Sequence, residues 1–268
     1  MSGTPIALLT DYGVRDAYVG VLRSVIHQVW PWATILDLCH DVPPCNVKSG
    51  AWLLASAGPY LPERCIVCAV VDPTVGSSRR AVAIETEHLR LVGPDNGLFA
   101  MLLEDDPARR AVVLDQERWF LPRRSVTFDG RDVFAPVAAQ LARGVRFAAL
   151  GSAIDPQSLA PLGSLVMPRF DTETIETSVV HVDRFGNAIT TLRARQLEAW
   201  LDGAAPRVEA LGHTYPFVRT YPDVAVGERL AYIGSAGNLE VAVRGGDAAA
   251  LHGLLQGTPV QVRRQQTS

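Results

Sequence analysis

The stretch Cys65-Ile-Val-Cys-Ala-Val-Val-Asp72 constrains the fold most, because seven mostly apolar, β-branched-rich residues run unbroken and stop on an acid. Such a run reads as a strand buried inside a sheet, with the turn Pro73-Thr-Val-Gly76 and the pair Arg79-Arg80 beyond its carboxyl end. Ligands of open α/β sheets bind in the crevice outside those strand ends, so an acid and a guanidinium there are candidates for substrate contacts. Taken alone, the simpler reading is a structural Asp-Arg pair closing a turn.

Around this strand the first half alternates strand and helix patterns. Pro5 to Thr10 is a short apolar run, followed by a helical pattern with Tyr18, Val21, Leu22, Val25 and Val29 on one face and Asp16 as its expected cap. A strand over Ala33 to His40, a helix over Val47 to Ala57, a hairpin over Ala81 to Val92 and a short helix near Leu98 to Leu103 come next. Strands separated by helices predict an α/β N-terminal domain with a mainly parallel sheet. After the helical pattern Val133 to Ala142, the stretch Gly151 to Phe170 has little periodicity. Glu173 to Leu192 alternates around the turn Asp183 to Asn187, and Arg229 to Val243 around Gly234 to Asn238, which predicts a smaller, mainly β second domain. The expected division is residues 1–155, a linker over 156–171, and 172–268.

Composition narrows the function classes. A chain of 268 residues with 48% hydrophobic residues and a net charge of −3, its charges interspersed, carries no electrostatic footprint for nucleic acid or an anionic membrane. A small-molecule partner is expected. The start Met1-Ser-Gly-Thr-Pro5 lacks the charged and apolar regions of a signal peptide, and no apolar run reaches the ~18 residues of a membrane helix, so the expected address is cytoplasmic. Cys39, Cys45, Cys65 and Cys68 lie within or beside apolar segments; one C-x-x-C without a second pair reads as buried reduced thiols rather than a zinc site.

Acidic, Gly-marked turns recur: Thr10 to Gly13, Asp37 to Asp41, Asp72 to Gly76, Pro94 to Gly97, and Thr127 to Asp132 opening a helix. Each has a structural explanation, since Asp and Asn bond their own backbone in turns and Gly supplies positive φ. In a parallel sheet, however, the first three converge on one edge. The carboxylates with His40 can bind a divalent metal, or one carboxylate can bind vicinal ribose hydroxyls, and residue chemistry alone leaves both open.

Seven motifs, taken in order, resemble the S-adenosyl-L-methionine hydroxide adenosyltransferase family, to which the fluorinases and chlorinases are related. They are TDYGxxDxYVG (Thr10 to Gly20), DxxHxVP (Asp37 to Pro43), VVDPxVGSxR (Val70 to Arg79), PDNG (Pro94 to Gly97), TFxGRDxFAP (Thr127 to Pro136), DxFGNxxT (Asp183 to Thr190) and SxGxLEVAV (Ser235 to Val243). The resemblance implies an α/β N-terminal domain, a β-barrel-like C-terminal domain and a homotrimer with sites between subunits. It implies S-adenosyl-L-methionine as substrate, with no cofactor and no metal. Asp11 corresponds to the residue binding the ribose hydroxyls, Asp16 and Asp183 to contacts with the methionine amino group, Phe185 and Asn187 to the adenosyl-facing turn, and Ser235 to the loop at the methionine carboxylate or adenine edge.

The same resemblance points to the nucleophile. Fluorinases carry Tyr where this chain has Asp72, Thr at Val75, Trp at Cys45 and Ser at Gly130, groups that desolvate a halide. Asp72 and Arg79 instead match two members of the Asp-Arg-His set that positions water in the hydroxide-transferring branch. The third member differs, for Asp129 stands where that branch has His, and Thr74 where it has Gly. The expected reaction is nucleophilic substitution by water at C5′, giving adenosine and L-methionine, with Asp72, Arg79 and Asp129 as the catalytic set. The alternatives are a catalytically weakened adenosyl-binding protein, motivated by Asp129, and a metal-dependent phosphoesterase built on Asp11, Asp37, His40, Asp95 and Asp129.

Overall fold

The computed structural model describes residues 4–122, 125–163 and 167–265. The chain folds as two compact units, Met1–Gly163 and Ser164–Ser268.

The first unit runs β1 (Ile6–Thr10), α1 (Tyr18–Val29), β2 (Ile35–Cys39), α2 (Val47–Ala57), β3 (Ile66–Val70), β4 (Ala81–Glu85), β5 (Arg90–Pro94), α3 (Ala100–Asp105), β6 (Arg110–Leu114), a π-helical turn (Gly130–Phe134), α4 (Ala135–Ala142) and β7 (Gly151–Ile154). Among the described residues its sheet has the order β2-β1-β3-β5-β4-β6-β7, with β2, β1, β3 and β5 parallel and β4, β6 and β7 antiparallel. Every residue of β1 and β3 is buried, because helices cover both faces. One face packs Ile6, Leu8, Ile66 and Cys68 with α1 and α4; the other packs Ala7, Leu9, Val67 and Ala69 with α2 and α3.

Three sequence expectations need correction here. The buried face of α1 is Val19, Leu22, Val25 and Ile26, whereas Tyr18 is exposed. Asp16 does not cap that helix: the N-cap is Ala17, without a side-chain bond, and Asp16 is exposed. Part of the stretch without periodicity is β7, an antiparallel edge strand whose Ser152 and Ala153 are exposed and therefore carry no alternating signal.

The π turn has a local cause. Pro136 has no N–H to offer the carbonyl of Asp132, which instead accepts from the Leu121 N–H at 2.9 Å, and the chain bridges the gap with a wide turn closed by Ala135 N–H on the Gly130 carbonyl.

The second unit contains β8 (Arg169–Phe170), β9 (Thr174–Val182), β10 (Ala188–Arg193), α5 (Ala194–Leu201), β11 (Ala205–Ala210), β12 (His213–Pro216), β13 (Arg229–Ile233), β14 (Asn238–Val243), α6 (Ala248–His252) and β15 (Pro259–Gln265). Its ladders are antiparallel in the order β12-β11-β15-β9-β10-β14-β13, with β8 on β9. A bridge from Phe217 to Ala231 brings the ends of that order together, giving a nearly closed, barrel-like sheet around Ile175, Leu192, Val208, Tyr215 and Val241. No helix among the described residues is long and apolar enough to cross a membrane.

Candidate active site

Four parallel strands of the first unit end on the same edge, so the turns after β1, β2, β3 and β5 converge there. The turn after β3 carries Asp72. Arg79 returns to it: Nε donates to Oδ1 and Oδ2 at 3.0 and 2.9 Å, and Nη2 donates to Oδ2. The same Nη2 donates to Asp129 Oδ2 at 2.6 Å. The three side chains are almost sealed from solvent, at 9% exposure for Arg79, 4% for Asp72 and 8% for Asp129. Burial works against the Arg79 charge, yet the bonds and charges of Asp72 and Asp129 hold its pKa above the ordinary guanidinium value. The guanidinium also lies over the Phe134 ring, 5.4 Å from its centroid. Thr74 donates to Asp72 Oδ1 at 3.3 Å, so this departure from the family pattern touches the central acid directly.

Arg80 points elsewhere, bonding Asp95 Oδ2 through Nε at 2.7 Å and Ser158 Oγ through Nη1 at 3.1 Å. Asp11 stands at the end of β1, half-buried, its Oδ2 accepting from the Cys45 N–H at 2.8 Å. A chain of bonds braces that turn: Thr10 Oγ1 to His40 Nδ1 at 2.8 Å, His40 Nε2 to Asp37 Oδ1 at 2.9 Å, and Arg23 on Asp37. Although burial opposes it, the bonds from His40 and Arg23 hold the Asp37 carboxyl below its ordinary range. A cavity of about 380 Å³ is lined by Asp11, Tyr12, Asp72, Val75, Phe128 and Asp129. Asp16 lies outside that lining.

The acids of the phosphoesterase reading are dispersed over different partners, with Asp37 on Arg23 and His40, Asp95 on Arg80, and Asp129 on Arg79. Among the described residues no three His, Cys, Asp or Glu side chains group as a metal would require. The thiol expectation also needs correction: Cys65 and Cys68 are buried, with burial pushing them up to about 11 and about 12, but Cys45 is exposed. Its φ of 62° puts it in the left-handed region, uncommon for a residue with a side chain.

In the second unit, Asp183 builds its own turn. Oδ1 accepts from the N–H groups of Phe185 and Asn187, both at 2.9 Å, and Oδ2 accepts from Asn187 Nδ2 at 2.9 Å. Gly186, at φ +82°, lets the chain fold back, and the result presents a 74%-exposed Phe185 ring beside a buried Asn187. A cavity of about 570 Å³ is lined by Phe185, Asn187, Tyr221, Gly246 and Asp247. Ser235 lies exposed in the turn joining β13 to β14.

Sequence reasoning gave no role to Glu240, which is buried on β14 and accepts from the Tyr232 hydroxyl, itself bonded to Tyr221 at 2.6 Å. Burial raises the Glu240 pKa. A lone acid in the apolar run Leu239 to Val243 was the available signal.

A parallel-edge cavity lined by buried acids tied to one guanidinium, in a chain that also carries a barrel-like β unit, defines a two-domain enzyme that works on a small molecule. The family model of the SAM hydroxide adenosyltransferase N-terminal domain matches residues 6–151, and that of the C-terminal domain residues 177–261. The chain belongs to the SAM hydroxide adenosyltransferase family.

A relative from Thermus thermophilus, named (R)-S-adenosyl-L-methionine hydrolase, is 43% identical over 96% of this chain and 99% of its own. A hydrolase of the same name from Salinispora tropica is 43% identical over 98% and 99%. A fluorinase from Actinopolyspora mzabensis is more distant, at 24% identity over 97% of each chain. The crystal structure of an uncharacterized conserved protein from Thermotoga maritima superposes with a TM-score of 0.88 at 32% identity, covering 97% of this chain and 100% of that one.

Proposed function

We propose that the chain hydrolyses S-adenosyl-L-methionine to adenosine and L-methionine by attack of water on C5′. The observation that carries this reading is the buried Asp72-Arg79-Asp129 cluster at the carboxyl edge of the sheet, in a chain 43% identical to named hydrolases of that substrate. The (R) epimer in those relatives' names is the proposed substrate here as well.

Water is a poor nucleophile, with a pKa of about 15.7, so a site must hold it in line, exclude bulk solvent and take its proton as the C–O bond forms. In the proposed step the water oxygen bonds C5′, the C5′–S bond breaks, and its electron pair leaves on the methionine sulfur. The sulfonium becomes a neutral thioether, so no acid is needed. Asp72 takes the water proton. Arg79 fixes the Asp72 carboxylate by charge-assisted bonds and favours developing hydroxide. Asp129, whose Oδ2 accepts from the same Nη2 as Asp72 Oδ2, shares the captured proton with Asp72 as the second carboxyl of the pair. In this reading Asp11 binds the ribose hydroxyls, Asp16 and Asp183 the methionine amino group, Phe185 and Asn187 the adenine, and Ser235 the carboxylate or adenine edge. Carboxylates accept from hydroxyls and ammonium, and an Asn amide both donates and accepts on a purine edge.

A cytoplasmic homotrimer whose sites form between neighbouring copies belongs to the same proposal, as does reaction without a cofactor. The weakened-binder alternative is less supported, because Asp129 keeps a charge-assisted bond to Arg79. The test is incubation of purified protein with the substrate in H₂¹⁸O. Adenosine carrying one ¹⁸O, with equimolar methionine, is expected; no turnover above the uncatalysed background, with or without tight binding, overturns the hydrolase reading.

A further inference from the structure

Tyr12 follows Asp11 directly, and nothing above uses its side chain. Its ring is locked by two aromatic neighbours, with centroids 5.7 Å from Phe128 and 5.8 Å from Tyr18, which themselves meet edge-on at 5.4 Å. The hydroxyl end of the ring lies over the Cα of Gly130. A Cβ built there would overlap the hydroxyl oxygen and come within 3.3 Å of Cζ. Gly130 opens the π turn immediately after Asp129, so the phenol hydroxyl occupies the space that a side chain at 130 would fill, beside the residue that follows the acid. Tyr12, Asp72, Asp129 and Gly130 line one cavity. Burial above all, with the charges of Asp11, Asp72 and Asp129 behind it, holds the phenol well above its ordinary pKa, so it stays an O–H throughout the working range. The hydroxyl makes no hydrogen bond among the described residues, although its ring is fixed on both sides.

We propose that the Tyr12 hydroxyl positions the attacking water, accepting one of its O–H groups while the other points to Asp72. The inference rests on the hydrolase reading above. Water has two protons and two lone pairs; with both protons held by protein oxygens, a lone pair faces the C5′ carbon. Tyr12 takes no proton itself. The bond changes and the proton transfer to Asp72 are those already given, and the phenol leaves the step as it entered.

The test is a double-mutant cycle of Tyr12→Phe and Gly130→Ala on the full chain, with kcat and KM measured separately. Tyr12→Phe keeps the ring contacts and removes only the hydroxyl. The expected result is a kcat lower by about 10- to 100-fold, with KM within about 3-fold of the parent. Gly130→Ala lowers kcat similarly in the parent, by displacing the hydroxyl, and causes little further loss in the Tyr12→Phe background. An unchanged kcat in Tyr12→Phe overturns the inference while leaving the hydrolase reading intact. Additive losses in the double variant also overturn it, since they mean that Gly130 acts independently of the hydroxyl. Absence of turnover in the parent is the separate outcome that removes the reading on which it rests, and the inference with it.

Discussion

Arg79 donates from Nη2 to Asp129 Oδ2 at 2.6 Å, joining two side chains fifty positions apart in the sequence. Because the same guanidinium also holds Asp72, removing it leaves two buried carboxylates facing each other without a cation. Arg79→Ala is expected to cost about 3–5 kcal/mol of unfolding free energy, the usual penalty of breaking a buried pair. It is also expected to lower kcat by at least about 10²-fold. Denaturant unfolding and turnover assays check both; a stable, active variant contradicts the assigned pairing.

Asp129→Asn separates charge from hydrogen bonding. The amide oxygen still accepts from Arg79, so the fold persists, but the acid no longer shares the water proton. A fall in kcat of roughly 10²-fold with little change in KM is expected. Asp129→His, which restores the family's more usual residue, is expected to lower activity too, because an imidazole cannot return the charge that Arg79 binds here. A rate gain in steady-state assays would mean instead that the native Asp hinders the site.

Thr74 is bonded to Asp72 Oδ1 at 3.3 Å. A net value of about 0.5–1.5 kcal/mol for such a bond predicts that Thr74→Val lowers kcat by no more than about 10-fold. The comparison of kcat values at saturating substrate decides it.

Gly186→Ala targets the other unit. At φ +82° an added Cβ is strained, and it would lie 2.7 Å from the Asp247 Cα. The turn that carries Phe185 and Asn187 must then open, so KM for S-adenosyl-L-methionine is expected to rise while the Asp72-Arg79 chemistry, measured as kcat, changes less. Isothermal titration of the variant with substrate gives the loss of affinity directly.

Glu240 makes stability depend on pH. Burial raises its folded pKa above the ordinary 4.5, so the folded chain binds the proton more tightly than the unfolded chain. That contribution is complete below 4.5 and is lost as pH rises through the folded value. Glu240→Gln still accepts from Tyr232 but does not titrate. Its unfolding free energy is expected to gain on the parent as pH increases above 4.5, in urea titrations at a series of pH values; a pH-independent difference contradicts the assignment.

Much of the fold was legible because it is written in local patterns. The unbroken apolar runs of β1 and β3 and the helical spacing over Val47 to Ala57 needed no tertiary information. The hairpin over Ala81 to Val92 was legible too, and it is the antiparallel β4–β5 ladder; β6 and β7 were not read as strands, and β7 offers only four residues with two exposed. Of the adjacent Arg79 and Arg80, the resemblance pointed to Arg79, and Arg79 is the one that bonds Asp72, while Arg80 bonds Asp95. Convergence of Asp129 on that pair came only by resemblance, because fifty intervening residues carry no geometric signal. Tyr12 escaped notice because its placement depends on an atom that Gly130 lacks.

The π-helical turn after Asp129 separates an address from its occupant. In an α-helix each residue advances about 100° around the axis, so deleting one residue from Gly130 to Phe134 would tighten the coil and swing position 129 away from Arg79. Exchanging the side chain at 129 does nothing of the kind. The backbone, and not the chemistry of the side chain at 129, therefore sets the direction in which that position faces the guanidinium.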